Sequence, residues 1–175
     1  FFDAVKVTFP MLLVRNSVLL ATEKQIKKAD KLELTWNDLF SKQADLVNTK
    51  TIQLSEFPID MSTLKKQLQE QFKALYEITK LTDKSFVGAI KAQEVKQTKG
   101  LDNLEKRLLK AQKRKLSSIL ERITDLQNEL FPNKSLQERQ ANFSEFYLES
   151  GANLIPRVID TLKPLEQDFN IITLS

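Results

Sequence analysis

The side chains that could do chemistry in this sequence are carboxylates, lysines, arginines and hydroxyls, because its 175 residues include no histidine and no cysteine. Ser-His-Asp triads, imidazole bases and imidazole-held metals are thereby excluded, as are thiolate nucleophiles, disulfides and cysteine-held zinc. Carboxylates pair at helical spacing in Asp102 with Glu105 and in Glu145 with Glu149. Neither pair has a third acidic ligand close by in sequence, so surface positions are the expected reading. No catalytic residue and no metal ligand is assigned to this chain. Arg15-Asn16-Ser17 is a different case, because it interrupts two apolar runs. Burying an arginine is costly unless it is paired. Polar groups at the end of a buried strand are also where open α/β sheets contact their ligands. A ligand contact and a structural tie are therefore equal readings of Arg15, Asn16 and Ser17.

A third candidate is the basic run Lys106, Arg107, Lys110, Lys113, Arg114 and Lys115, which could track a phosphate backbone. These residues fall on several faces of a helix, and no aromatics are interleaved to stack on bases. A solvated coiled-coil surface is the favoured reading over a nucleic-acid interface. The charge is local: ten basic against three acidic residues between positions 84 and 115 leave the rest of this +4 chain net negative. Three glycines, against an average usage of about 7%, argue against turn-rich all-β folds and glycine-built phosphate loops.

The elements that must position these residues are mainly helical. Val7 to Ala21 is the greasiest stretch, but Pro10 and Arg15-Asn16-Ser17 break it well short of a membrane span of about 20 residues. Met11–Val14 and Val18–Leu20 are short apolar runs consistent with buried strands, which periodicity alone does not separate from pieces of helix. Residues 21–30 have helix-forming composition. Thr35-Trp36-Asn37-Asp38 resembles a capping box before a short helix with Leu39 and Phe40. Residues 48–60 read as irregular, with a short strand at Thr51–Leu54. Asp60 or Ser62 then caps a helix whose stripe is Met61, Leu64, Leu68, Phe72, Leu75, Ile78 and Leu81.

Asp83 opens the next helix, which meets no proline before Pro132. At about 1.5 Å per residue, such a helix would be a rod of about 70 Å. Its apolar positions are Phe86 and Ile90, then Leu101, Leu104, Leu108, Ala111, Leu116, Ile119, Ile123, Leu126 and Leu130. The five-residue step from Ala111 to Leu116 predicts a local change of winding, and Gly100 is the expected bend. The preceding helix spans about 30 Å and covers less than half of the rod. The face made by Leu101, Leu104, Leu108, Leu116, Ile119, Ile123, Leu126 and Leu130 therefore needs a partner, which is the N-terminal half of this chain, the C-terminal helices or a second copy. The length mismatch is the main argument for a dimer or larger assembly. After Pro132, Ser135 with Glu138 reads as a capping box for a helix carrying Phe143, Phe146 and Tyr147 and ending at Gly151. A helix over Leu154–Leu162 and a strand over Phe169–Leu174 follow.

Three segments together resemble the bacillithiol biosynthesis cysteine-adding enzymes, the BshC family, which are regarded as cysteine ligases. They are Phe9-Pro10-Met11-Leu12-Leu13-Val14-Arg15-Asn16-Ser17, then Leu136-Gln137-Glu138-Arg139 with Asn142, Phe143, Phe146, Tyr147 and Gly151, and finally Leu162 to Leu174. Ser150 departs from the family's pattern, which has tyrosine before that glycine. The resemblance covers nearly all of this chain but only the last third or so of the family's length. It implies a full enzyme with a Rossmann-like core and a coiled-coil region associated with dimerisation. That enzyme would join cysteine to glucosaminyl malate, with a nucleotide (ATP or ADP) as its cofactor and none held by this chain alone.

On this reading the chain is mainly α: an antiparallel helical coiled coil with short terminal strands that belong to a Rossmann-like core. Residues 1–21 would end the core, 22–131 would form the coiled coil, and 132–175 would return to the core. Arg15, Asn16, Ser17, Glu138, Arg139 and Asn142 become the candidates for ligand binding or the core junction. A start at Phe1 without methionine, signal region or membrane span is expected of an interior piece of a cytoplasmic homodimer. The alternatives kept open are a non-enzymatic helical scaffold and a nucleic-acid-binding coiled coil.

Overall fold

The computed structural model describes residues 4–6, 16–80, 85–163, 165–166 and 168–174. In chain order these form β1 (Val18–Thr22), α1 (Glu23–Lys31), α2 (Trp36–Phe40), α3 (Gln43–Gln53), α4 (Ser62–Lys80), α5 (Phe86–Lys115) and α6 (Ser117–Leu130). Then come α7 (Phe143–Ser150), α8 (Leu154–Thr161) and β2 (Asn170–Leu174), with single 3-10 turns at Pro132–Lys134, Gln137–Arg139 and Gly151–Asn153. The chain is mainly helical, with one two-stranded parallel sheet in which Val18 pairs with Asn170 and Thr22 with Leu174. It divides into two compact units. One runs through Trp36 and resumes at Asp125, and the other is Asn37–Thr124. The Met11–Val14 strand, Arg15, Leu81 and the Asp83 cap lie outside the described residues.

In the strand unit, β1 is apolar throughout (VLLAT) and its three central residues are buried. Leu20, Ile172, Leu174 and Leu154 form a core, with Val18, Phe146 and Val158 packed against it. Thr22 starts α1 through a reciprocal capping box: Gln25 donates its backbone N–H to Thr22 Oγ1 at 3.3 Å, and the Thr22 N–H donates to Gln25 Oε1 at 2.9 Å. Lys28 bonds Glu129 at 2.8 Å and so ties α1 to the end of α6. Helix α1 thus belongs with the strands rather than with the helical unit.

In the helical unit, Asp60 caps α4 by accepting the Ser62 N–H and hydroxyl, each at 2.8 Å. These two bonds hold its carboxyl below the usual range. The α4 face towards α5 comprises Lys65, Leu68, Phe72, Tyr76 and Thr79, with Met61 just before it, and Phe72 and Thr79 are buried. Leu64, Leu75 and Ile78 of the expected stripe stay exposed.

Three expectations are corrected. The single long helix is two, because Leu116, at φ −96° and ψ 11°, leaves helical geometry between α5 and α6. The break falls where the apolar repeat steps by five. The helix runs without interruption through Gly100, so no break falls there. Residues 51–54 are not a strand: Leu46, Lys50 and Thr51 share the buried side of α3. Lys50 pairs with Asp38 at 3.4 Å, and the Thr51 hydroxyl donates to the Val47 carbonyl at 2.6 Å. Packing here overrides the β-preference of the threonines and isoleucine.

Candidate functional site

At Val18 and Leu20 the outer edge of β1 is closed by two side chains instead of a strand. Leu20 donates its N–H to Gln137 Oε1 at 2.9 Å and accepts from Gln137 Nε2 at 3.0 Å. A primary amide is the side chain that carries a donor and an acceptor together, so Gln137 imitates a peptide unit of a neighbouring strand. One residue on, Glu138 accepts the Val18 N–H and the Ser17 hydroxyl, both at 3.3 Å. Gln137 and Leu20 are both buried. Asn16 Nδ2 donates to the Lys163 carbonyl at 3.1 Å, and the Asn170 N–H to the Ser17 carbonyl at 3.2 Å.

The structure therefore brings Ser17 and Glu138 together and holds Asn16 against the segment that leads to β2. It does not bring Arg139 or Asn142 to that point. Arg139 is exposed. Asn142 is the cap of α7, accepting the Ser144 N–H at 3.0 Å. This corrects the expected cap at Ser135: the Glu138 carboxylate faces β1, so it does not complete a box with Ser135, and the helix starts eight residues later. Helix α7 ends as expected at Gly151, whose φ of +64° favours a residue without Cβ. Gln137 was not among the predicted site residues; the signal was present in Leu136-Gln137-Glu138-Arg139, where the capping-box pattern masked it.

Past the carboxyl ends of both strands lies an open cleft of about 340 Å³, lined by Thr22, Glu23, Lys24, Glu149, Ser150 and Leu174. Its charged groups are of mixed sign and it has no glycine loop. Gly88 and Gly100 lie inside α5 and Gly151 between α7 and α8, so this chain builds no glycine cradle for phosphate. No group of three acidic residues among the described residues could hold a metal ion.

In the helical unit the carboxylates Asp102 and Glu105 converge on Lys65, at 2.8 Å and 2.7 Å, and Glu105 also accepts the Met61 N–H at 3.1 Å. Asp102 is held below the ordinary carboxyl value by its bond to Lys65, and Glu105 by its bonds to Lys65 and Met61. The two carboxylates push the Lys65 ammonium up in return. Further along, the Tyr76 hydroxyl donates to Glu94 at 3.0 Å; burial and that bond raise its pKa. These pairs clamp α4 to α5. Gln112 is buried and donates to Ser55 at 3.0 Å, and Lys115 pairs with Glu56 at 3.1 Å.

The predicted partner face divides. Ile123, Leu126 and Leu130 are buried within the chain, with Ile123 at 0% exposure. Leu101, Leu108, Leu116 and Ile119 are half-buried, and Leu104 is 51% exposed. The exposed apolar residues of helices α4 and α5 are instead Leu64, Leu75, Ile78, Phe86, Val87, Val95 and Leu104.

Comparison with known proteins matches residues 18–174 to the family described as "Bacillithiol biosynthesis BshC, C-terminal coiled-coil domain". A protein of Flavobacterium johnsoniae is 68% identical over 174 residues, which is 99% of this chain and 33% of that protein. One of Christiangramia forsetii is 57% identical over 173 residues, 99% of this chain and 32% of its own length. A more distant one, of Cytophaga hutchinsonii, is 28% identical over 169 residues, 96% of this chain and 32% of its own length. Each carries the name "Putative cysteine ligase BshC". The chain spans about a third of the length of these relatives.

Proposed function

The chain belongs to the family of the BshC C-terminal coiled-coil domain, and from that premise we propose that it is the self-associating third of a cytoplasmic ligase that joins cysteine to glucosaminyl malate. The observation that carries the ligase reading is the identity of 68% over essentially the whole chain to a protein named for that activity. The catalytic groups and any ATP or ADP site are assigned to the whole enzyme, because this chain offers neither histidine nor cysteine nor a glycine cradle. Among the described residues no helix is long and apolar enough to cross a membrane.

We read α4 and α5 as an antiparallel coiled coil. As the position in α4 advances from Lys65 to Tyr76, its bonded partner in α5 retreats from Glu105 to Glu94. Both helices lie in the compact unit Asn37–Thr124, inside the span 22–131 that we assign to the coiled-coil region. The parallel β1–β2 pair supports the assignment of the other unit to a Rossmann-like core, since parallel sheets are seldom two strands wide. Asn16, Ser17 and Glu138 then serve as structural ties at that junction.

The homodimer reading rests on where the apolar groups of the hairpin lie. The α4–α5 seam itself is partly polar, with Glu94, Thr98 and Glu105 at its inward positions, while Leu64, Ile78, Phe86 and Leu104 face out. A hairpin that buries polar groups and exposes leucines leaves its main hydrophobic gain for an association.

Two experiments test these readings. The full-length enzyme, supplied with glucosaminyl malate, cysteine and ATP, should yield the cysteinyl product by mass spectrometry, and this chain alone should not. Absence of product from the full-length enzyme would end the ligase reading. Sedimentation of the wild-type chain should give a dimer at tens of micromolar, converted to monomer by I78E/L104E with unchanged helicity. A wild-type monomer, or an unaffected dimer in the double variant, would refute this interface.

A further inference from the structure

The two edges of the β1–β2 sheet are treated differently by the chain, and the difference identifies where the sheet continues. In a strand, the N–H and C=O of one residue point to the same side and alternate from residue to residue. Asn170 donates to Ser17, so residues 170, 172 and 174 of β2 face β1, and Ile171 and Thr173 face away. In β1 the outward residues are Val18, Leu20 and Thr22. Every outward N–H of β1 is occupied: Val18 by Glu138, Leu20 by Gln137 and Thr22 by Gln25. The outward Leu20 carbonyl is taken by the same Gln137 amide. No strand can add there without displacing a buried glutamine.

On the outer side of β2 the Thr173 carbonyl is covered by Arg157 Nη2 at 2.6 Å. Among the described residues, the N–H and C=O of Ile171 and the N–H of Thr173 have no partner, although Ile171 is half-buried and its neighbours Ile172 and Leu174 are core residues. An apolar strand with an open edge next to a closed one is the arrangement of an interrupted sheet.

We propose that the outer edge of β2, at Ile171 and Thr173, pairs with a strand from the part of the full-length protein that precedes this chain in its relatives. β1 is then the terminal strand of the sheet, with Gln137 and Glu138 standing in for its missing neighbour. Two arguments select this occupant. The relatives are about three times as long as this chain, and the matched family is their C-terminal domain. A second copy pairing β2 with β2 about a twofold axis would bring two Arg157 guanidinium groups onto one ladder, a like-charge contact that intramolecular addition avoids. The inference rests on the reading of this chain as one third of a longer protein, and not on that protein's activity.

Residue-resolved amide exchange on the full-length protein and on this chain tests it. In the chain alone, the Val18 and Leu20 amides should be protected, which reports that the sheet has formed, while Ile171 and Thr173 exchange freely. In the full-length protein, Ile171 and Thr173 should slow by about tenfold or more, the factor given by a net hydrogen bond of about 1.4 kcal/mol. Unprotected Ile171 and Thr173 in the full-length protein would overturn the proposal. Protection that appears in the chain alone as its concentration rises would overturn it too, in favour of a second copy. A cysteine-ligation assay on the same sample separates the two readings: protection without ligase activity keeps the edge assignment and removes the ligase.

Discussion

Replacing Gln137 with alanine removes both hydrogen bonds from the outer side of Leu20, the donor to its carbonyl at 3.0 Å and the acceptor of its N–H at 2.9 Å. Leu20 is 7% exposed and Gln137 6%, so water has little access to either orphaned group. A buried backbone group left unsatisfied costs about 1–3 kcal/mol, and two of them, partly relieved by water entering the vacated space, should cost about 2–4 kcal/mol. That is a large share of the ~5–15 kcal/mol that holds a domain folded. In urea, with a slope of about 1–3 kcal/mol per molar, the midpoint of the strand unit should fall by roughly 1–2 M. The Leu20 amide should lose its exchange protection at the same time. Q137E is the discriminating control. Its carboxylate still accepts the Leu20 N–H but presents an oxygen to the Leu20 carbonyl, so it should be as damaging as alanine at pH 7. Acid should restore part of the loss, because the protonated carboxyl can donate again. A cost below about 0.5 kcal/mol for Q137A, the level of an ordinary surface change, would refute the view that this side chain replaces a strand.

The helical unit should be acid-sensitive through Lys65. Asp102 and Glu105 are held below 3.8 and 4.5, so their stabilisation is fully present above those values and is lost as the pH falls through the lower folded ones; thermal melts between pH 7 and 2 should show this loss, and K65M should reduce it. The raised Lys65 contributes in the opposite sense: its share is complete below 10.5 and is lost only above that. Helix capping gives a sharper contrast, since N142A should cost about 1 kcal/mol in urea unfolding and S135A much less; equal costs would return the cap to Ser135.

Much of the architecture was legible because periodicity survives packing. The β-type runs at Val18–Leu20 and Phe169–Leu174 became the two strands, and Leu154–Leu162 became α8. The five-residue step before Leu116 was read as a change of winding, and it marks the point where the helix breaks. What was not legible depended on distant partners. Thr51 looked like strand until Leu46 and Lys50 were found on the same buried helical side. Glu138 fits a capping box equally well in sequence, and only β1, about 120 residues earlier in the chain, diverts it. Thr22-Glu23-Lys24-Gln25 is the reverse case: a complete capping box passed over because the apolar run before it drew the reading towards strand. At the candidate junction, sequence selected Ser17 and Glu138 separately without pairing them, and missed Gln137, which bonds the same strand edge.

The position of the helical unit in the chain explains why the sheet needs side-chain closure. All of Asn37–Thr124 is inserted between β1 and the Gln137–Glu138 turn that closes it. Bringing the ends of such an insertion together costs conformational entropy, but the cost grows only as the logarithm of length, about 0.6 kcal/mol per doubling. The length of α4 and α5 is thus nearly unconstrained by the sheet, whereas the closure of β1 is constrained: it must be made by residues that return after the insertion. Gln137 and Glu138 do this with four bonds to Ser17, Val18 and Leu20, which exceeds what one added turn of helix could offer a strand edge. A third edge group, Thr22, is satisfied locally by Gln25. The strand end that can be closed from nearby in sequence is closed that way, and the rest waits for the chain to come back.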